Sequence, residues 1–247
     1  MAKTCLIGYT GFIGSNLKTQ VKCNDFYNSK NIQDLNGHYD LVICSAAPAV
    51  KWYANANPVE DYENIKFLIE NLSRISCKEF ILISTIDVYV SSAGHDETSV
   101  SYDTTNAYGK HRRMLEEFVN NNFNHKIVRL PGMFGPGLKK NIIFDLLHNN
   151  QVEKINSGDE FQWYNVNNLW KDICEIPTGI NEINFFTEPI SNEELIHEVF
   201  PEFLSLINID KKLNYNNKSV YYNNGYILDK KAVIKELIEY RSFFKSC

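Results

Sequence analysis

Short apolar runs alternate with amphipathic stretches along the first 150 residues. The apolar runs predict buried strands at residues 3–8, 25–27, 40–47, 80–84 and 126–130. Apolar positions at helical spacing predict helices at residues 12–21, 59–76, 107–122 and 141–148. Strands that alternate with helices form βαβ units. We therefore expect an α/β fold, a Rossmann-type doubly wound parallel sheet covered on both faces.

The pattern becomes less regular after residue 151. A strand is predicted at 182–185 and helices at 191–199 and 229–244, whereas the Asn-rich stretch 206–225 favours loops or ragged strands. We expect a main domain over residues 1–150 and a small C-terminal lobe over 151–247, with some of its elements returning to the main sheet.

Composition narrows the class of protein. The 247 residues are 44% hydrophobic and 22% charged, which is typical of a globular chain. Since no apolar run approaches the roughly 18 residues of a membrane helix, we expect a cytoplasmic protein without membrane contact. Six widely spaced cysteines show no zinc-ligand spacing, so neither disulfides nor a metal site are expected. A net charge of −5 argues against nucleic acid as a partner.

A glycine-rich loop lies between the first predicted strand and the first predicted helix. Its pattern is G-x-x-G-x-x-G. Glycines in this context permit a tight turn and close approach of a pyrophosphate to the backbone, and the helix N-terminus supplies free N–H groups. The alternative is a tight strand-to-helix turn without a ligand. The predicted cofactor contacts are Gly8, Thr10, Gly11, Phe12, Ile13 and Gly14.

The segment Asn28-Ser29-Lys30 lies about 20 residues beyond this loop, where an acidic side chain usually holds the adenosine ribose of NAD. A neutral or basic segment tolerates a 2′-phosphate, so NADP is favoured over NAD. The segment is alternatively an ordinary turn, with Asp25 or Asp34 serving the ribose.

The motifs along the chain resemble those of the extended short-chain dehydrogenase/reductases, the NAD-dependent epimerase/dehydratase family that contains nucleotide-sugar epimerases, dehydratases and dTDP-4-dehydrorhamnose reductase. Besides the glycine loop, the resemblance rests on DLVICSAA at 40–47, ISTIDVY at 83–89, RLPGMFGP at 129–136 and WYNVNNL at 163–169.

The resemblance implies an NADP- or NAD-dependent enzyme whose residues 1–150 bind the dinucleotide and whose residues 151–247 bind a nucleotide sugar. It assigns further cofactor contacts to Ser45, Ala46, Ala47, Pro131 and Met133. It assigns substrate contacts to Asn141, Tyr164 and Asn165. It assigns catalysis to Thr85, Tyr108 and Arg112.

The family signature Tyr-x-x-x-Lys is altered here, because Arg112 stands where the lysine belongs. Residues four apart share one helix face, so we expect the cation at 112 to lower the pKa of Tyr108, while Lys110 points away. Alternatively, Thr85 is only a strand-end residue, Tyr108 a helix-start aromatic, and Arg112 a partner of Glu116.

The substrate side also has plain alternatives. Asn141 could instead be a helix N-cap beside solvated lysines. Tyr164 could instead pack in the core, which is also the common position of tryptophan side chains. His95 and His111 receive no role. A homodimer through Phe67, Leu68, Leu115 and Phe118 is possible on the family pattern, although all four are equally core candidates.

Three functions remain open from the sequence. The first is an NAD(P)-dependent reductase of a nucleotide-activated keto-sugar. The second is a nucleotide-sugar epimerase of the same family. The third is a non-catalytic dinucleotide sensor or scaffold that lost turnover with the lysine. Asp87 without a neighbouring glutamate disfavours a dehydratase.

Overall fold

A computed structural model describes residues 2–206 and 213–246. The strands are β1 (Thr4–Ile7), β2 (Asp25–Tyr27), β3 (Gly37–Cys44), β4 (Ile75–Thr85), β5 (His125–Leu130), β6 (Gly132–Phe134), β7 (Glu160–Phe161), β8 (Trp163–Asn165), β9 (Glu182–Asn184) and β10 (Ile190–Ser191). The helices are α1 (Phe12–Gln20), α2 (Lys51–Ala56), α3 (Pro58–Leu72), α4 (Ala107–Asn122), α5 (Ile142–His148), α6 (Leu169–Cys174), α7 (Asn192–Val199) and α8 (Lys230–Ser246).

The central feature is a six-stranded parallel sheet in the order β2-β1-β3-β4-β5-β9. The strand order reverses between β1 and β3, because β2 lies on one side of β1 and the later strands lie on the other. In open α/β sheets, ligands bind outside the carboxyl ends of the strands at such a reversal. The predicted Rossmann-type α/β fold is therefore confirmed.

Several segments differ from the predicted elements, since the sequence did not predict α2, α6, β6, β7, β8 and β10. Helix α3 ends at Leu72, four residues before the predicted end, and β4 begins at Ile75. Residues 75–79 alternate between more buried and more exposed positions, which is the period of a strand. Their polar side chains obscured that period. The short helix α2 was not predicted, since it lies in a polar stretch before Pro58.

The described chain divides into two compact units, each made of several segments. The first unit contains the residues up to Ser91 together with Ser99–Arg129 and Asn168–Asn184, and it holds the six-stranded sheet except Leu130, the last residue of β5. Strand β9 thus returns to the main sheet. The predicted assignment of residues 1–150 to cofactor binding and 151–247 to substrate binding stays a prediction.

The core of the first unit lies between the sheet and its helices. It is built from aliphatic and aromatic side chains of β1, β3, β4, α3 and α4, with Val42, Ile65, Phe80 and Val119 among its buried members. Leu68 and Leu115, two of the predicted dimer residues, also belong to this core. Phe67 is exposed.

The second unit contains Ser92–Thr98, Leu130–Asn167 and the residues from Phe185 onward. Strands β6 and β8 pair in parallel, and β7 and β10 pair antiparallel. Helices α5, α7 and α8 contribute Ile143, Leu195 and Val233 to its buried core. Of the stretch predicted as loops or ragged strands, 207–212 lies outside the described residues, and 213–225 forms only isolated bridges at Asn214 and Asn216.

Candidate active site

The glycine loop follows β1 at the carboxyl edge of the sheet. Gly8 has φ +89°, and a Cβ there would lie 2.6 Å from the Ser45 carbonyl oxygen. A Cβ at Gly14 would lie 2.1 Å from the Gly8 carbonyl oxygen. The fold itself therefore requires glycine at these two positions.

Gly11 is different, because the nearest atom to a Cβ there is the Gly8 carbonyl oxygen at 3.4 Å. The protein's own packing accepts a side chain at this position. Gly11 is also the N-cap of α1, so no cap side chain covers the first-turn N–H groups, and that turn carries no acidic residue. This uncovered, dipole-positive helix start fits the pyrophosphate of a dinucleotide.

The predicted adenosine-ribose segment lies beside this loop. The Gly8 N–H donates to the Tyr27 carbonyl at 2.7 Å, which brings the end of β2 against the glycine turn. Asn28 closes an Asx turn by accepting the Lys30 N–H at 2.9 Å, and Ser29 and Lys30 are exposed. Asp25 begins β2 at the opposite edge and pairs with Lys3 at 3.3 Å, which disfavours its use for the ribose.

Residues 45–47 continue from the end of β3 beside the same turn. The Ser45 N–H donates to the Ile7 carbonyl at 2.9 Å. Ser45, Ala46 and Ala47 are partly buried, and Gly8 packs against the Ser45 and Ala46 backbone. These predicted contacts therefore line the switch point of the sheet.

Thr85 and Tyr108 are brought together by a close approach of two elements. Thr85 is the last residue of β4, and its Oγ1 accepts the Asp87 N–H at 3.2 Å. A Cβ at Gly109 would lie 2.1 Å from the Asp87 carbonyl oxygen, so only glycine allows α4 to pack this tightly on the turn after β4. Thr85 as a result lies close enough to the Tyr108 phenol to act on its pKa.

The pKa of Tyr108 is raised, contrary to the sequence prediction. Burial is the largest cause, since the residue is 8% exposed, and the Asp87 carboxylate adds to it. Arg112, Thr85 and Lys51 act in the opposite direction without overcoming burial. The expected lowering by Arg112 exists, but the net direction was wrong, and Tyr108 holds its proton at neutral pH.

Arg112 does not pair with Glu116. Its guanidinium is 3% exposed and makes a two-pronged ion pair with Asp61, with Nη1–Oδ2 and Nη2–Oδ1 distances of 2.5 and 2.8 Å. It also donates to the carbonyls of Tyr108, at 3.2 Å, and Pro48. Its Nε–H is buried and meets no acceptor within residues 2–206 and 213–246.

Asp61 is the residue that sequence reasoning missed. It is 4% exposed, and it also pairs with His111, whose Nδ1 lies 2.8 Å from Oδ2. Its position in α3 carries a signal, because Asp61 continues the buried stripe of Ile65, Leu68 and Leu72. A carboxylate on the apolar face of a helix indicates a buried cation partner.

Glu116 belongs to a separate buried network. Although burial opposes its ionisation, Arg129, Ser84 and Arg113 hold the pKa of Glu116 below its ordinary value. Arg129 binds both carboxylate oxygens, at 3.0 and 2.8 Å, and the Ser84 hydroxyl donates at 2.5 Å. The network joins α4 to β4 and β5 beneath Thr85, so it supports the site without offering a reactive group.

The other five predicted residues, Pro131, Met133, Asn141, Tyr164 and Asn165, lie in the second unit. Asn141 accepts the Phe144 N–H at 3.0 Å and donates to the Met133 carbonyl at 2.8 Å. It is thus the N-cap of α5, as the alternative interpretation held.

The aromatic residues of this unit follow their alternative interpretation as well. Tyr164 is fully buried and stacks on Phe185, with ring centroids 5.8 Å apart, which favours core packing over substrate contact. Asn165 accepts the Asn167 N–H at 3.1 Å. Pro131 is buried and Met133 is partly buried. Trp163 is also buried, against Gly132, whereas Trp52 in the first unit is exposed.

The sequence matches no family model and no curated protein. In solved structures, the fold is similar to that of a UDP-N-acetylglucosamine 4-epimerase from Methanobrevibacter ruminantium in complex with UDP-N-acetylmuramic acid. The identity is 14% and the TM-score 0.76, covering 99% of this chain and 98% of that one.

Two further structures show the same likeness. A dTDP-4-dehydrorhamnose reductase from Bacillus anthracis, in complex with NADP, is 15% identical with a TM-score of 0.73 and full coverage of both chains. MoeE5 in complex with UDP-glucose and NAD is 15% identical with a TM-score of 0.72, covering 99% of this chain and 98% of that one. The chain therefore has the fold of nucleotide-sugar reductases and epimerases.

The described residues contain no helix with both the length and the apolarity that crossing a membrane requires.

Proposed function

We propose that this protein is an NAD(P)-dependent reductase of a nucleotide-linked keto-sugar. The observation that carries the proposal is that the predicted cofactor turn and the predicted catalytic residues lie at the same edge of the sheet. The uncovered N-terminus of α1 follows the carboxyl end of β1, and Thr85 ends β4 next to Tyr108. These two strands flank β3 on either side, beside the reversal in strand order. Neighbours of this fold are crystallised with NAD, NADP and UDP-sugars, which supports the ligand classes.

The residues of the first unit have the following proposed roles toward the dinucleotide. Gly8, Gly11 and Gly14 form the pyrophosphate turn with Thr10, Phe12 and Ile13, while Ser45, Ala46 and Ala47 flank it. The segment Asn28-Ser29-Lys30 has no carboxylate, and the Lys18 ammonium lies 5.3 Å from the ring centroids of Tyr9 and Phe26 close by. Positive charge without a competing carboxylate favours the 2′-phosphate of NADP.

Reduction needs a hydride and a proton. When bound, the reduced nicotinamide supplies the hydride that adds to the carbonyl carbon. Thr85 orients the carbonyl oxygen, and Tyr108 gives that oxygen its phenolic proton. The phenolate left behind takes a proton from water. Because Tyr108 keeps its proton at neutral pH, the site is suited to the reducing direction, whereas an epimerase must first remove a proton from an alcohol.

Arg112 serves this site as a positioning residue. Four of its N–H donors are taken by Asp61 and two carbonyls, so it fixes α4 against α3 and the segment after β3 instead of presenting an ammonium to a ribose. The roles of Pro131, Met133, Asn141 and Asn165 toward cofactor and substrate, the cytoplasmic location and a homodimer stay predictions.

The test is turnover. Purified protein is assayed for NADPH and NADH oxidation against a panel of nucleotide-linked 4-keto-sugars. We expect one or more substrates to be reduced, and Tyr108→Phe to lower kcat at least about 100-fold while cofactor affinity stays within about threefold. The exposed Tyr62→Phe is the matched control.

The non-catalytic sensor makes the opposite prediction. Such a protein binds the dinucleotide, oxidises none of it with any keto-sugar, and responds to Tyr108→Phe no more than to Tyr62→Phe.

A further inference from the structure

The cation of the altered signature makes its hydrogen bonds to Asp61 and two backbone carbonyls instead of the Tyr108 hydroxyl. The Arg112 guanidinium carbon lies 4.0 Å from the centroid of the Tyr108 ring, so its charge acts on the ring face. Asp61 balances that charge at 2.5 Å, and two carbonyls occupy further donors. Arg112 favours a Tyr108 phenolate from that face, and Lys51 is a further cation that favours it.

Lys51 is the cation that the first unit offers. Its Nζ lies 2.6 Å from Asp87 Oδ1, and the lysine side chain is 47% exposed against 19% for the aspartate. Asp87 is fixed next to the reacting pair, because its N–H donates to Thr85 Oγ1 and its carbonyl packs against Gly109, the residue after Tyr108. The ion pair is thus anchored at the reacting end of the site.

Helix α2 directs Lys51 toward α4 by an independent contact. Asn55 Oδ1 accepts the Tyr108 backbone N–H at 3.0 Å. Lys51 and Asn55 are four residues apart in α2, so they share one face of that helix. The face that holds the backbone of Tyr108 also carries the lysine.

Four charged groups from four elements surround Tyr108. Arg112 belongs to α4 itself, Asp61 to α3, Lys51 to α2, and Asp87 to the turn after β4. Burial and Asp87 favour the neutral phenol, while Arg112 and Lys51 favour the ionised form. Lys51 is the cation among them that reaches solvent.

We propose that Lys51, held by Asp87, is the positioning cation that stabilises the Tyr108 phenolate formed when the tyrosine gives its proton to the substrate carbonyl. This role deepens the proposed reductase function and rests on it for its chemistry. The electrostatic coupling itself exists in the protein without cofactor or substrate, so it is measurable independently.

The test places 3-fluorotyrosine at position 108 and follows its single ¹⁹F resonance against pH. We expect Lys51→Met and Lys51→Gln to raise the titration midpoint by about 0.5 to 1 unit. Lys51→Arg keeps the midpoint of the parent protein, and Lys51→Met combined with Asp87→Asn returns it toward that value. Lys110→Met removes an exposed charge from α4 and is the matched control, with no shift expected.

A midpoint that moves less than about 0.2 units in both Lys51→Met and Lys51→Gln overturns the proposal, as does an equal shift in Lys110→Met. Assaying keto-sugar reduction beside the ¹⁹F titration separates the two claims. A ¹⁹F shift without any keto-sugar reduction supports the Lys51 coupling and counts against the reductase. Keto-sugar reduction with an unchanged ¹⁹F midpoint supports the reductase and counts against the Lys51 coupling.

Discussion

The buried ion pair between Asp61 and Arg112 gives the sharpest prediction about stability. Asp61→Asn keeps the size of the side chain and one acceptor oxygen, but it removes the charge that balances the guanidinium. Both residues are less than 5% exposed, so solvent does not replace the lost partner. Removing one member of such a pair costs about 3 to 5 kcal/mol, because a buried charge is left uncompensated.

The lower end of that range applies here, since the amide oxygen still accepts one N–H from Arg112 and the two backbone carbonyls remain. A loss of about 3 kcal/mol lowers Tm by about 6 to 12 °C in a chain of this length. Calorimetric and denaturant unfolding measure both quantities. Glu63→Gln is the control on the same helix, because its ion pair with Lys66 is exposed and 3.8 Å long.

A double variant checks the reason for the loss. Asp61→Asn combined with Arg112→Met leaves no unpaired charge, so we expect it to regain much of the stability that Asp61→Asn loses. A loss below about 1 kcal/mol in Asp61→Asn, or a double variant less stable than the single one, would refute the reasoning.

Three further predictions follow from the charges around the sheet. The rate of reduction stays constant as pH rises through neutrality and falls only above the ordinary tyrosine pKa of 10.0, because burial raises the pKa of Tyr108; a decline half complete by about pH 8 contradicts this. Lys30→Glu weakens NADP binding at least about tenfold and NAD binding less than about threefold, as measured by calorimetry. The exposed Lys22→Glu is the control. Equal losses of affinity for both dinucleotides contradict this prediction. Glu116→Gln lowers the free energy of unfolding at about pH 7. Because the pKa of Glu116 lies below 4.5 in the fold, denaturant unfolding will show the difference from the wild type shrinking as the pH falls below that value. A difference that is independent of pH contradicts this prediction.

The fold followed from the sequence because its periodic signals are strong. Apolar runs such as 40–47 and the G-x-x-G-x-x-G loop mark the centre of the sheet, and the structure has its reversal in strand order there. The boundary between α3 and β4 did not follow, since residues 75–80 mix polar and apolar side chains in both possible periods.

The electrostatics of the site were harder to predict. Spacing within one helix placed Arg112 beside Tyr108 and offered Glu116 as its partner, but the actual partner, Asp61, is 51 residues earlier. Long-range pairing of this kind depends on how α3 packs against α4, which local spacing does not report. Lys51 was missed for the same reason, because its neighbour Asp87 is 36 residues away.

Calorimetric titration of NADP and NAD tests the central claim most directly, using the wild type, Gly11→Ala and Thr19→Ala. Gly11 has room for a Cβ in the protein alone, so Gly11→Ala keeps the wild-type Tm, and its methyl group occupies the space assigned to the pyrophosphate. The account predicts saturable binding to the wild type and to Thr19→Ala, with affinity at least about tenfold weaker in Gly11→Ala. A cooperatively folded wild type that binds neither dinucleotide, or a Gly11→Ala variant that binds as tightly as the wild type, would contradict it.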